Sequence, residues 1–181
     1  MKSQPITAIY FIAALVGCSL ISSAADTNKS GEIKIPLKDF KFKAPKSVTD
    51  PDSAFVLNEE DAKLCFYTNG SAEAKFTVPV NAEWDVIVTA SGDTAVGVPV
   101  EGKQKDIHPN FQLGFDGKDF GKEITLKSDD AQDYKVVVPL TAGEHVISVA
   151  FTNDTYDPDG KFDSNFYLHS IKLQPHKAGT P

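Results

Sequence analysis

The sequence predicts an all-β protein, an antiparallel jelly-roll sandwich of two packed sheets. Three observations carry that expectation. Apolar residues alternate with period two along most of the chain, turn-forming residues interrupt the alternation about every ten residues, and no segment sustains a helical period.

The alternation is read run by run. Phe76, Val78 and Val80 interleave with Lys75, Thr77 and Pro79, and Trp84, Val86 and Val88 with Asp85, Ile87 and Thr89. Phe111, Leu113 and Phe115 alternate with Gln112 and Gly114, and Ile147, Val149 and Phe151 with Ser148 and Ala150. Successive side chains of a strand point to opposite faces, so each run sends one set into a core and the other toward water or a thinner layer. Trp84 falls in the inward set and is read as structural. Val136-Val137-Val138 predicts a strand covered on both sides. Asn69-Gly70, Asp116-Gly117, Ser128-Asp129-Asp130 and Ala142-Gly143 supply the turns. Glu59-Glu60-Asp61-Ala62 is a short turn and the only helical candidate. Eight to ten strands result, more than the roughly seven of an immunoglobulin-like sandwich.

Composition narrows the function. The 181 residues include 18 Lys+Arg and 25 Asp+Glu, a formal charge of −7, and every basic residue is Lys. An acidic chain without a guanidinium fork is poorly suited to nucleic acid or anionic lipid, so no nucleic-acid partner is expected. A hydrophobic content of 41% with 10% aromatic residues excludes a disordered chain.

Residues 1–25 read as a signal peptide: Lys2, an apolar run from Ile6 to Ile21, then Ser22-Ser23-Ala24-Ala25. Two processing sites compete. Cleavage after Ala25 gives a soluble secreted protein. Leu15-Val16-Gly17-Cys18 resembles the lipobox of bacterial lipoproteins, in which Cys18 becomes the lipidated first residue, and membrane contact is expected only in that case. The expected location is therefore secreted or cell-envelope, either periplasmic or as an outer-membrane lipoprotein. Residues 26–32 form a polar linker, 33–175 the sandwich and 176–181 a tail, and the expected state is a monomer. Once the signal is processed, Cys65 is the one cysteine certain to remain. It sits in Leu64-Cys65-Phe66-Tyr67 and is read as a buried, inert thiol. His108, His145, His169 and His176 have no zinc-site spacing.

Chemistry concentrates between two strands, in residues 153–165. This stretch carries four Asp, two Asn and one Lys, a local charge of −3. Crowded carboxylates repel one another, a divalent cation relieves that repulsion, and hard oxygen ligands select calcium over zinc or copper. Pro158 and Gly160 turn the chain so that both limbs of the loop can converge. The same residue types also build ordinary solvated turns, so composition alone leaves both readings open. An EF-hand is excluded. With Gly160 at the invariant glycine, Thr155 falls first and Phe166 where the bidentate Glu belongs.

Val149-Ala150-Phe151-Thr152-Asn153-Asp154, the turn Tyr156-Asp157-Pro158 and Asp163-Ser164-Asn165-Phe166-Tyr167-Leu168 together resemble the C-terminal signature of a family of calcium-dependent, xylan-binding carbohydrate-binding modules. Their pattern is an Asn-Asp pair ending one strand, a variable acidic loop, and Asp-Arg-Asn-Leu-Tyr opening the last strand. Weaker agreement upstream, at Tyr67-Thr68-Asn69-Gly70, Thr89-Ala90-Ser91-Gly92, Phe115-Asp116-Gly117 and Leu140-Thr141-Ala142-Gly143-Glu144-His145, extends the resemblance over about residues 55–174.

The resemblance implies an exported, non-catalytic module that recognises a plant-type polysaccharide such as xylan. In such modules calcium is held partly by protein and partly by adjacent sugar hydroxyls. Asp154, Asp157 and Asp163 are the expected carboxylate ligands, with Asp159 and Asn165 next. Tyr156 would offer its ring to the sugar, Asn153 would stand beside it, and Asp93 would reach in from a neighbouring loop. Two positions depart from the family: Ser164 replaces its Arg, and Phe166 its Leu. Losing the Arg removes a fixed cation from the cluster, which would loosen the loop or change the ligand. The competing reading is a structural or adhesive sandwich whose acidic loop binds calcium only for stability. A glycosidase would need two carboxylates in opposed environments across a cleft, and nothing in the sequence marks such a pair.

Overall fold

The computed structural model describes residues 31–177, so the signal peptide, Cys18 and most of the 26–32 linker lie outside the described residues. In chain order the strands are β1 (Ile33–Ile35), β2 (Lys41–Lys43), β3 (Phe55–Asn58), β4 (Lys63–Phe66), β5 (Gly70–Val78), β6 (Ala82–Asp93), β7 (Ala95–Val100), β8 (Lys103–Ile107), β9 (Asn110–Phe115), β10 (Lys118–Thr125), β11 (Gln132–Leu140), β12 (Gly143–Phe151) and β13 (Asn165–Pro175). One α-turn, α1 (Pro51–Ala54), precedes β3, and a 3-10 turn spans Leu37–Asp39.

The strands form two main sheets. The first runs β11-β6-β13-β4-β3, with β1 also paired to β13, and the second runs β10-β9-β12-β5-β2. Every pairing is antiparallel, so the expected sandwich is the observed architecture. A third unit, the hairpin β7–β8, stands apart from both sheets. Its Glu101-Gly102 turn has positive φ at both residues, the conformation that matches the twist of a two-residue hairpin.

The inward faces of both sheets share one core. Phe166 sits at its centre with no exposed surface. Its ring stacks on Phe111 and Phe151 at centroid distances of 5.3 and 6.1 Å and meets Phe66 edge-on at 5.5 Å. The larger side chain at the family's Leu position is thus absorbed by a ring of aromatics. Cys65 is buried, and burial pushes its thiol above the ordinary value, as befits an inert core residue.

Several sequence expectations need correction. Val136-Val137-Val138 is not covered on both sides. β11 is the edge of its sheet, Val138 points inward and Val137 is 37% exposed. Asp85, in the set expected to face water or a thinner layer, is buried. It is held by Lys135 Nζ at 2.7 Å and His176 Nδ1 at 2.6 Å, and these partners keep its carboxyl below the ordinary range despite burial. His176 also donates its N–H to the Glu83 carbonyl, so hydrogen bonding to the sheet continues past Pro175. The helical turn at Pro51–Ala54 was missed. Its signal is Asp50-Pro51, an N-cap followed by Pro at the first helical position, and Asp50 accepts the Ser53 N–H. The described strands number thirteen rather than eight to ten, because the short edge strands and the hairpin carry little alternation.

His145 is buried with both ring nitrogens against acceptors: Nδ1 is 2.7 Å from Asp116 Oδ2, and Nε2 is 2.8 Å from the Thr141 carbonyl. Burial disfavours the imidazolium, but these two hydrogen bonds outweigh it and raise the His145 pKa above its ordinary 6.5. Burial likewise opposes the Asp116 carboxylate, yet the Val146 N–H and His145 bring its pKa below the ordinary 3.8. The raised group stabilises fully below 6.5 and loses its contribution as pH rises through the folded value. The lowered group stabilises above 3.8 and loses its contribution as pH falls. In thermal melts, the advantage of the native chain over His145→Gln is expected to shrink by about 2–4 °C between roughly pH 6 and 9. An advantage that stays constant across that range would contradict this assignment.

Gly92 is fixed by close approach rather than by a turn. A Cβ there would lie 2.5 Å from the Asn165 carbonyl, 2.8 Å from Pro109 and 2.9 Å from Leu126. Gly92→Ala is therefore expected to cost about 1–3 kcal/mol, read from the denaturant midpoint. An unchanged midpoint would show that the β6–β13 contact yields more easily than its geometry implies.

Candidate functional site

The candidate site is built where three strands end. The long β6–β13 pairing sets Asp93, the last residue of β6, opposite Asn165, the first of β13. Beyond β12 the chain passes through Asn153 and Asp154 into the acidic loop and returns at Asp163.

Asn165 is 7% exposed and lies between two carboxylates. Its Nδ2 donates to Asp93 Oδ2 at 3.0 Å and to Asp163 Oδ2 at 3.3 Å. Tyr167 adds a hydroxyl donor to Asp93 Oδ2 at 2.5 Å. Burial and that hydrogen bond push the Tyr167 phenol far above its ordinary value, so it stays a donor. Asp154 is anchored through its backbone N–H, which donates to Asn69 Oδ1 at 2.8 Å. Burial pushes the Asp154 carboxyl up, a hydrogen bond from Thr68 pulls it back, and the charge of Asp163 pushes it up again. Asp163 thus joins two sets of contacts: Asn165 links it to Asp93, and its charge acts on Asp154.

Three buried side-chain polar atoms lack a hydrogen-bond partner among the described residues. One is Trp84 Nε1, and the other two are Asp154 Oδ1 and Asn165 Oδ1. Buried oxygens left without a donor are costly, and here two of them belong to a single carboxylate-rich cluster. Three carboxylates and an amide oxygen are hard donors of the kind that suit calcium. Among the described residues no three His, Cys, Asp or Glu side chains are drawn together as a ready metal centre. The Asn165 amide stands between two of the carboxylates, and its two N–H bonds partly offset their repulsion.

The rest of the loop divides from this cluster. Asp157 Oδ1 accepts the Asp159 N–H at 3.1 Å, and Lys161 Nζ lies 3.6 Å from Asp157 and 3.2 Å from Asp159. Those two carboxylates therefore serve the local turn and its lysine. Asn153 is occupied at both ends of its amide. It accepts the Asn110 N–H at 2.6 Å and donates to the His108 carbonyl at 2.9 Å, which ties the loop to β9. Tyr156 pairs with Asp163 in an isolated bridge and is 64% exposed, so its ring stands free beside the cluster.

Ser164, in place of the family's Arg, is fully buried. Its Oγ accepts the Thr155 N–H at 2.9 Å, and its own N–H donates to the Thr155 carbonyl at 2.9 Å. The neck of the loop is closed by this exchange, so the substitution does not leave it loose. The four His have separate partners: Thr94, Asp116, Ser91 and Asp85. Sequence reasoning missed Asn69, Thr68 and Tyr167. Asn69-Gly70 was legible as a turn and as part of the weaker family resemblance but not as a site residue, because the partner it holds lies 85 residues away.

Residues 85–181 match the family model described as Ca-dependent carbohydrate-binding module xylan-binding, CBM60. No curated protein matches the chain in sequence. Among solved structures, a carbohydrate-binding module CBM36 in complex with calcium and xylotriose is 12% identical at a TM-score of 0.51, covering 79% of this chain and 98% of that one. The CBM36-1 domain of a multidomain xylanase from the hindgut metagenome of Trinervitermes trinervoides is 13% identical at 0.50, covering 82% and 99%. A Podospora anserina GH26-CBM35 β-(1,4)-mannanase is 11% identical at 0.49; 84% of this chain aligns, spanning 29% of that one. The two CBM36 structures share the fold. The family match takes in more than half of the chain and all of the cluster from Asp93 to Asn165, and the chain belongs to the calcium-dependent xylan-binding carbohydrate-binding modules, which bind polysaccharide without cleaving it.

Proposed function

We propose that this chain recognises xylan through a calcium ion held by Asp154, Asp163, Asn165 and Asp93. The observation that carries this reading is the pair of buried, unpartnered oxygens, Asp154 Oδ1 and Asn165 Oδ1, within one carboxylate cluster. When bound, calcium supplies open coordination positions that favour a preorganised vicinal diol of the sugar.

The chain's own residues do the rest. Asn69 and Thr68 hold Asp154, and Tyr167 holds Asp93, so the donors are fixed before any ligand arrives. Asp93 and Asp163 are exposed, which keeps the cluster open to an approaching polymer. Tyr156 offers an apolar ring to the C–H face of a pyranose. Asp157 and Asp159 keep the turn around Lys161 in shape, and Asn153 fastens the loop to β9; these three support the site rather than line it. The domain limits belong to the same proposal: a secretory signal over 1–25, a linker over 26–32, and a sandwich over 33–175 with a short tail. The product is a secreted or cell-envelope module, anchored to a membrane only if Cys18 is lipidated, and it acts as a monomer.

The native chain is expected to be retained on insoluble xylan in calcium and released by chelator. Calcium at a hundredfold excess over Kd adds about 2.7 kcal/mol, a melting shift of about 5–10 °C. Asp154→Ala with Asp163→Ala should abolish both the retention and the shift. A full shift in the double variant would place the cation elsewhere. A chelator-sensitive melt without retention on any polysaccharide would favour the purely structural role.

A further inference from the structure

Asn69 is one of seven asparagines in the chain and the only one followed by glycine. Asparagine is a thermally labile residue, and glycine after it removes the steric shield from the backbone nitrogen that its side chain reacts with.

The fold fixes both halves of this dipeptide. Gly70 opens β5 opposite Phe151, and a Cβ there would lie 2.4 and 2.6 Å from the Phe55 ring, so no larger residue can cover its nitrogen. Asn69 is exposed in the connection between β4 and β5, and its Oδ1 accepts the Asp154 N–H at 2.8 Å. A donor on that oxygen draws electron density from the side-chain carbonyl carbon. It also stabilises the negative charge that gathers on Oδ1 when a nucleophile adds, as an oxyanion hole does. The bond that anchors the acidic loop therefore activates its own anchor. Other asparagines around the site lack this combination. Asn153 is held at both ends of its amide and precedes Asp, and Asn165 is buried between two carboxylates and precedes Phe.

We propose that Asn69-Gly70 is a site of spontaneous modification whose product unfastens the acidic loop. The Gly70 nitrogen gives its proton to hydroxide and bonds to Asn69 Cγ, and the side-chain nitrogen leaves as ammonia, which closes a five-membered imide. Water then opens the ring. Addition at Cγ leaves an ordinary aspartate. Addition at the main-chain carbonyl routes the chain through Cβ and Cγ and leaves isoaspartate, with its carboxylate directly on Cα. The isoaspartyl main chain is one methylene longer and its side chain one methylene shorter. The Asp154 N–H then loses its acceptor, and the donor set loses one of its supports. The modification follows from the dipeptide and its surroundings; its effect on calcium rests on the reading given above.

Ageing the native full-length chain in warm, mildly alkaline, calcium-free buffer tests this. Lys63 and Lys75 bracket the site, so trypsin releases residues 64–75 with Asn69 as their only asparagine. That peptide should gain one mass unit and become a substrate for isoaspartyl methyltransferase before any of the other six asparagines converts. The converted protein, separated by its added negative charge, should keep less than about half of the fresh chain's calcium melting shift, with the loss tracking its isoaspartate content. A 64–75 peptide that converts no sooner than the rest overturns the site. Isoaspartyl protein with the full shift overturns the release of the loop. A fresh chain with no shift in calcium overturns the cation reading instead, and the mass change still reports the modification.

Discussion

The antiparallel register between β6 and β13 is the constraint on which the rest of the molecule depends. It runs from Trp84 opposite Pro175 to Asp93 opposite Asn165, with one irregularity between Leu168 and Ser170. Alternate pairs inside it bury core residues, Val86 with Leu173 and Val88 with Ile171. A slip of one residue would turn those faces outward, so the hydrophobic effect fixes the register. The same register delivers a carboxylate and an amide to one point at the end of the sheet. Gly92 tightens the arrangement, since only a residue without Cβ lets β6 approach the Asn165 carbonyl so closely. The position of the polar cluster is thus set by the apolar core.

The cluster is electrostatically unfinished. Asp93 and Asp163 are joined through Asn165, and Asp154 feels the charge of Asp163; the chain offers these carboxylates Asn165 Nδ2, the Tyr167 hydroxyl and Thr68 as donors. Lys161, the cation of the same loop, is held by Asp157 and Asp159 instead. Two buried oxygens therefore remain without partners, a condition that folded proteins rarely tolerate without a reason. The neck formed by Ser164 and Thr155, together with the anchor of Asn153 on β9, keeps the loop from relaxing that strain by swinging into solvent. A member of a calcium-dependent family would be expected to hold such a frustrated arrangement in readiness.

Much of this was legible in the sequence. Period-two alternation identified the long central strands because their faces differ so sharply in polarity, and the family-like Asn-Asp and Asp-Ser-Asn segments pointed to the loop that carries Asp154 and Asp163. What stayed hidden has physical causes. The three-residue strands β1 and β2 are too short to show a period, β8 is exposed along nearly its whole length, and β7 buries Ala95 and Val98 three residues apart rather than two. The division of the acidic loop into Asp154 and Asp163 on one side and Asp157 and Asp159 on the other depends on where Lys161 points, which composition does not encode. The roles of Asn69 and Tyr167 depend on contacts across 85 and 74 residues of sequence. The burial of Asp85 arises from a lysine on the neighbouring strand and a histidine beyond the last strand, partners that alternation alone could not supply.

The central claim is one of location, and a crystal grown in calcium tests it most directly through the anomalous signal of the ion. The account predicts a single peak among Asp154, Asp163, Asn165 and Asp93, about 2.3–2.6 Å from their oxygens, with the Asp154 Oδ1 and Asn165 Oδ1 atoms among its neighbours. A peak within the Asp157–Asp159 turn, or none at saturating calcium, would contradict it.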